Sequence, residues 1–130
     1  MNVLTPTQVV AAYFNQMQAM NPAQWQALFA TGGVSYDPIG NPPSYPETEA
    51  EKFFAMLGAA IEQMEVVPEA IFPVGQHHVA AKWTMRVVSK QGRQGEAEGI
   101  TTFVLDDVGK IKTVSSYWDD KALMAQLRGG

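Results

Sequence analysis

Val34-Ser35-Tyr36-Asp37-Pro38-Ile39-Gly40-Asn41-Pro42-Pro43 is the stretch on which the reading of this chain turns. Helical patterns precede it; a further helix and then a run of strands follow. A residue before proline is driven toward extended backbone, so Asp37 is expected to end a strand, where its side chain can face a cavity. The same residues also suit a plain type I turn, with Asp37 first, Pro38 second and Gly40 fourth. The local sequence leaves both readings open.

Working back from this stretch, Thr5-Pro6-Thr7 has the chemistry of a helix cap and first turn. Val9, Tyr13, Met17 and Met20 recur at helical spacing and mark the inner stripe of a helix reaching about Met20. Tyr13 therefore turns its ring inward, and its hydroxyl needs a partner or a polar pocket. Asn21-Pro22 starts a second helix with Trp25, Leu28 and Phe29 on its apolar face, expected to stop at Gly32-Gly33. Val34 to Asp37 then reads as a short strand.

Working forward, the prolines from Pro42 to Pro46 stiffen an extended loop. Thr48-Glu49-Ala50-Glu51 has the pattern of a capping box. It predicts a third helix to about Gln63, with Phe53, Leu57, Ile61 and Met64 on one face and Phe54 beside them. From Glu65 the period changes. Val66 to Val74, interrupted by Pro68 and Pro73, predicts an edge or bulged strand. From His78 to Ser89, Ala81, Trp83, Met85 and Val87 alternate with Lys82, Thr84, Arg86 and Val88, which sends the first set to the core. Glu96 to Leu105 and Lys110 to Trp118 form a hairpin around Asp106-Asp107-Val108-Gly109. Asp119 or Asp120 caps a short last helix containing Leu123, Met124 and Leu127. The order implies an α+β fold, with helices across one face of a curved antiparallel sheet and a cone-shaped cavity between them.

The chain has 130 residues, enough for one domain, here taken as 1–130. With 46% apolar and 17% charged residues it is globular in composition. Its net charge of -4 argues against nucleic acid, which needs a basic footprint. The absence of cysteine removes disulfides, thiol nucleophiles and cysteine metal sites. No signal peptide or membrane-length apolar run is visible, and the expectation is a soluble cytoplasmic protein. His77 and His78 are adjacent in a strand and point to opposite faces, so they do not chelate one ion; no metal or cofactor is expected. Trp83, Phe103 and Trp118 suit either a core or the wall of a ligand cavity.

Val9 to Tyr13, Leu28 to Gly40 and Leu105 to Trp118 together resemble the NTF2-like, SnoaL-like superfamily and, within it, the steroid Δ5-3-ketoisomerases. The resemblance spans nearly the whole chain and implies an NTF2-like (cystatin-like) cone with an apolar pocket. It implies Asp37 as the base that moves a proton beside a ketone, with Tyr13 as donor to the oxygen where charge develops. The family's second oxygen donor, a neutral carboxylic acid, falls on Thr101, and a supporting tyrosine falls on Phe54. Both departures make the pocket more apolar. Phe54, Trp83, Phe103 and Trp118 are the expected substrate-binding side chains. The expected ligand is an apolar, steroid-like small molecule, and the implied assembly is a homodimer through the sheet. The alternative is a non-catalytic module binding a hydrophobic small molecule or a protein partner.

Overall fold

A computed structural model describes residues 4–129. Helix α1, Pro6–Gln18, is followed by α2, Pro22–Gln26, and strand β1, Phe29–Tyr36. Helix α3, Pro46–Ala60, leads into strands β2, Ile61–Val74, β3, His78–Ser89, β4, Gln94–Leu105, and β5, Ile111–Tyr117. Helix α4, Asp120–Arg128, completes the described chain. The strands form one sheet in the order β1-β5-β4-β3-β2. It is antiparallel from β2 through β5, and β1 joins its edge parallel to β5. Helix α1 packs on β2 and β3, α3 on α2 and β1, and α4 on β4. This is the α+β arrangement the sequence implies.

Local chemistry accounts for most of the boundaries. Thr5 and Gln8 cap α1 reciprocally, the Thr5 side chain accepting from the Gln8 amide while the Gln8 side chain accepts from the Thr5 amide. Asn21 caps α2, and Asp119 caps α4. In β3 the buried residues are Val79, Ala81, Trp83, Met85 and Val87, as the alternation requires.

The structure corrects four expectations. Helix α2 ends at Gln26 and Phe29 already belongs to β1. Gly32-Gly33 is no helix stop: the register of β1 on β5 shifts between Phe29 and Val34, and Gly32 has a φ of 75°. A bulge in a strand and a helix stop both recruit such glycines. Helix α3 begins at Pro46, ahead of Thr48, with Tyr45 as its cap residue. There the Tyr45 amide donates to the Glu49 carboxylate at 3.3 Å, and proline in the first turn sets the start. The same helix stops at Ala60, so Ile61 and Met64 lie in β2; Ile61 pairs with Ser89 in place of continuing the helical face. Finally, the turn after β1 closes one residue later than expected. The Asn41 amide donates to the Pro38 carbonyl at 3.1 Å. Gly40, at φ 103°, takes the third position, which only a residue tolerant of positive φ fills without strain.

An aromatic cluster fills much of the space between helices and sheet. Tyr13 meets Phe103 edge-on, ring centroids 5.0 Å apart. Trp25 packs on Phe29 at 4.8 Å and on Phe54 at 5.3 Å. Beside it, Trp83 and Trp118 form a T-shaped pair at 5.6 Å, and Gly99, opposite Trp83 in the ladder, makes the room for them. A Cβ on residue 99 would lie 2.7 Å from Trp118 Cβ, from Trp83 Cζ2 and from the Tyr117 carbonyl. Gly99→Ala is therefore expected to cost about 1–3 kcal/mol, the usual penalty of overpacking. Chemical unfolding checks the cost, and near-ultraviolet circular dichroism reports the disturbed indole pair.

Candidate functional site

Strand β1 positions Asp37. Its last residue, Tyr36, sits opposite Ser115 of β5, so the chain leaves β1 beside the end of β5. The Ile39 amide donates to the Ser116 carbonyl at 2.8 Å and ties the following loop to β5. Trp118 has just left β5 in the same place, and its Nε1 donates to Asp37 Oδ1 at 2.7 Å.

Thr101 and Ser116 face each other across the β4–β5 ladder, both almost fully buried. Their hydroxyls lie 2.8 Å apart. Trp83 Nε1, on β3, donates to Thr101 Oγ1 at 2.9 Å.

Tyr13, Asp37, Trp83, Thr101, Ser116 and Trp118 line one small chamber of about 40 Å³. Five of these six are residues that the sequence reading selected. Ser116 was not among them, although the alternation of β5 places it on the inward face with Val114. A serine at an inward strand position is the signal that could have found it. Phe103 and Phe54 stand behind the chamber as packing: Phe103 against Tyr13, and Phe54 between Trp25 and Phe53.

Asp37 also forms part of the wall of a second, larger hollow of about 610 Å³. Helix α3 and the loop after Gly40 enclose it, with Trp25, Pro43, Ala50, Phe53 and Met56 on its surface and Lys52 among its polar residues. Trp25 Nε1 is buried there without an acceptor among the described residues.

The electrostatics follow from these surroundings. Burial pushes the Asp37 carboxyl above its ordinary 3.8, and the charge of Asp120 adds to the rise. The Trp118 hydrogen bond, and after it the nearby Ser116 hydroxyl, favour the ionised form and pull the other way. Burial, and then the neighbouring Asp37 charge, hold the Tyr13 phenol well above its ordinary 10.0. Tyr13 therefore keeps its proton at neutral pH and is a donor. No side chain among the described residues takes that hydrogen bond. Chemically, the chamber places a carboxylate with raised basicity beside an uncommitted phenol in apolar surroundings.

Among the described residues no three His, Asp or Glu side chains converge as a metal site. His77 instead pairs with Asp107 at 2.9 Å, on the surface. No described helix is long and apolar enough to cross a membrane.

No curated protein matches this chain. Solved structures do. A Δ5-3-ketosteroid isomerase from Mycobacterium sp. is 23% identical, with 92% of this chain and 97% of that chain covered at a TM-score of 0.75. A Mycobacterium tuberculosis protein in complex with estradiol-17beta-hemisuccinate is 22% identical, with 92% and 98% covered at a TM-score of 0.78. An LEH-like epoxide hydrolase from M. tuberculosis is 20% identical, with 96% and 90% covered at a TM-score of 0.76. At these identities the likeness is one of fold, and the fold is NTF2-like. The model of the SnoaL-like domain family matches residues 10–114, and on that match the chain belongs to the SnoaL-like family.

Proposed function

We propose that this chain is an acid/base enzyme of the ketosteroid-isomerase kind, acting on an apolar carbonyl compound. The observation that carries the reading is the shared chamber: Asp37 and Tyr13 line the same small space. In this reading the Asp37 carboxylate takes a proton from a carbon next to the carbonyl. The electrons of the broken C–H bond move into a new C=C bond, and the carbonyl oxygen becomes an enolate oxygen. The neutral Tyr13 hydroxyl donates to that oxygen as its charge grows. Protonated Asp37 then returns the proton to a second carbon of the same conjugated system. Burial favours this exchange, because a desolvated carboxylate is a stronger base.

Asp37 lines both the small chamber and the larger hollow, and the larger hollow supplies the volume for a ligand. Its 610 Å³ lies within the range of small-molecule sites. The solved structures of like fold include a steroid isomerase and a protein crystallised with an estradiol ester, which supports an apolar, ring-containing ligand.

A second reading, a binding module without chemistry, draws on the same hollow. It is large enough to hold a ligand away from Tyr13, and the unpartnered Trp25 Nε1 behind it can meet an acceptor. The two readings separate on substitution. Against a panel of α,β- and β,γ-unsaturated ketones, Asp37→Asn is expected to lower turnover by roughly 10²- to 10⁴-fold. Tyr13→Phe is expected to lower it by roughly 10²- to 10³-fold. Wild-type turnover no faster than buffer, with ligand affinity unchanged in Asp37→Asn, is the result that favours the binding module.

Stability against pH gives an independent check on Asp37. Its folded pKa lies above the unfolded one, so between the two values the folded state holds more protons than the unfolded state. Stability therefore falls as pH rises through that window, and ionised Asp37 weakens the fold at neutral pH. Asp37→Asn is expected to unfold at a higher temperature than wild type at pH 7, and the gap is expected to close as the pH falls below 3.8. Thermal unfolding followed across pH measures both.

A further inference from the structure

The chain has three tryptophans. Two of their indoles are satisfied inside the fold: Trp83 Nε1 donates to Thr101 Oγ1 at 2.9 Å, and Trp118 Nε1 to Asp37 Oδ1 at 2.7 Å. The third is not. Trp25 is 4% exposed, and its Nε1 is buried without an acceptor among the described residues. A buried donor left unpaired weakens a fold, so each one asks for a reason. The two bonded indoles line the small chamber, whereas the unbonded one stands in the wall of the 610 Å³ hollow.

We infer that the hollow takes an uncharged, apolar ligand with a second oxygen acceptor, and that Trp25 Nε1 donates to this oxygen. The inference rests on the reading of the hollow as the ligand site, which both functional readings share. An indole N–H only donates, so the group that meets it must be an acceptor. The charged side chains of the described wall are the carboxylates of Asp37 and Glu49 against the ammonium of Lys52. An anionic group on the ligand meets net repulsion there, which leaves a keto, ether or hydroxyl oxygen. Pro43, Pro46, Ala50, Phe53 and Met56 give the wall an apolar surface that suits a hydrocarbon frame. Tyr13 lines the chamber and Trp25 the hollow, with Asp37 common to both, so the oxygen at Trp25 is a different one from the carbonyl at Tyr13. In the ligand-free protein the indole nitrogen is covered, and contact with it asks a side chain of the wall to give way. Phe53 is only half-buried where it stacks on Trp25 at 5.8 Å. Met56 is 65% exposed, and its unbranched chain adapts readily.

The experiment compares two probes on the full chain: a four-ring steroid enone with a ketone on its far ring, and the same enone with a methylene in that place. Calorimetric titration gives the affinities, and 1H–15N NMR follows the three indole N–H signals. The diketone is expected to bind roughly 10-fold more tightly, the scale of one hydrogen bond from a buried donor that is otherwise unpaired. It is also expected to move the Trp25 indole proton downfield, a shift that the monoketone does not produce. Trp25→Phe keeps an aromatic ring but has no N–H, and it is expected to bind the two probes alike. Should that variant fail to fold, the wild-type affinities and spectra decide alone. Equal affinity of wild type for the two probes overturns the inference, as does a Trp25 signal that the diketone leaves in place. Binding by neither probe removes the hollow as the ligand site, and the inference with it. Equal binding by both leaves that reading standing and sinks the role of Trp25 alone, so the two failures are told apart.

Discussion

A carboxylate set among aromatic rings must be given donors, because burying an unpaired charge costs several kcal/mol. In this protein the first donor is the indole N–H of Trp118, 2.7 Å from Asp37 Oδ1 and separated from it by 81 positions in the chain. Much of the architecture can be read as the means of making that bond. Strand β1 must lie beside β5 for its end to meet Trp118, which is what the parallel pairing of Tyr36 with Ser115 achieves. The indole needs space against Trp83, and Gly99 gives it. The loop after Asp37 must turn away without pulling the carboxylate out, and the Ile39 bond to the Ser116 carbonyl holds it. Sheet order, a glycine in β4 and a loop contact thus converge on one side chain.

The sequence is most legible where a single physical rule acts alone. Tyr13 turns inward because helical spacing puts it on the stripe of Val9 and Met17, and Trp83 turns inward because strands alternate. Pro38 predicts that the strand ends at Asp37, and it does so one residue early: β1 stops at Tyr36, and Asp37 lies just beyond it. The reading fails where one residue type serves two conformations. Gly32-Gly33 suits a helix stop and a strand bulge equally, and only the partner strand decides. Thr48 and Glu51 look like a cap, but Pro46 has already begun the helix. Ser116 escaped notice because serine on a strand is usually unremarkable. Its place shows only when Thr101 bonds it from β4 and Asp37 joins it in one chamber wall. The parallel placement of β1 is likewise a fact of three dimensions that local pattern does not contain.

The same comparison explains how the site differs from the family pattern it resembles. Where a neutral acid would face the ligand oxygen, a threonine lies in line between an indole and a serine. Where a second tyrosine would support the first, Phe54 packs on Trp25. The chamber is about 40 Å³ in volume, and most of its lining is aromatic or aliphatic, with Phe14, Met17, Val66 and Met85 beside the residues named above. Of the polar groups there, Trp118 donates to Asp37, and Trp83, Thr101 and Ser116 bond one another.

The most direct measurement is the infrared carbonyl stretch of a 13C=O-labelled enone bound to the protein. Our account predicts that binding shifts the band to lower frequency, because the Tyr13 phenol donates to that oxygen. It predicts further that the shift disappears in Tyr13→Phe and survives in Thr101→Val. A bound carbonyl whose frequency is the same with and without the Tyr13 hydroxyl would contradict it, because acid and phenol would then not be serving one ligand.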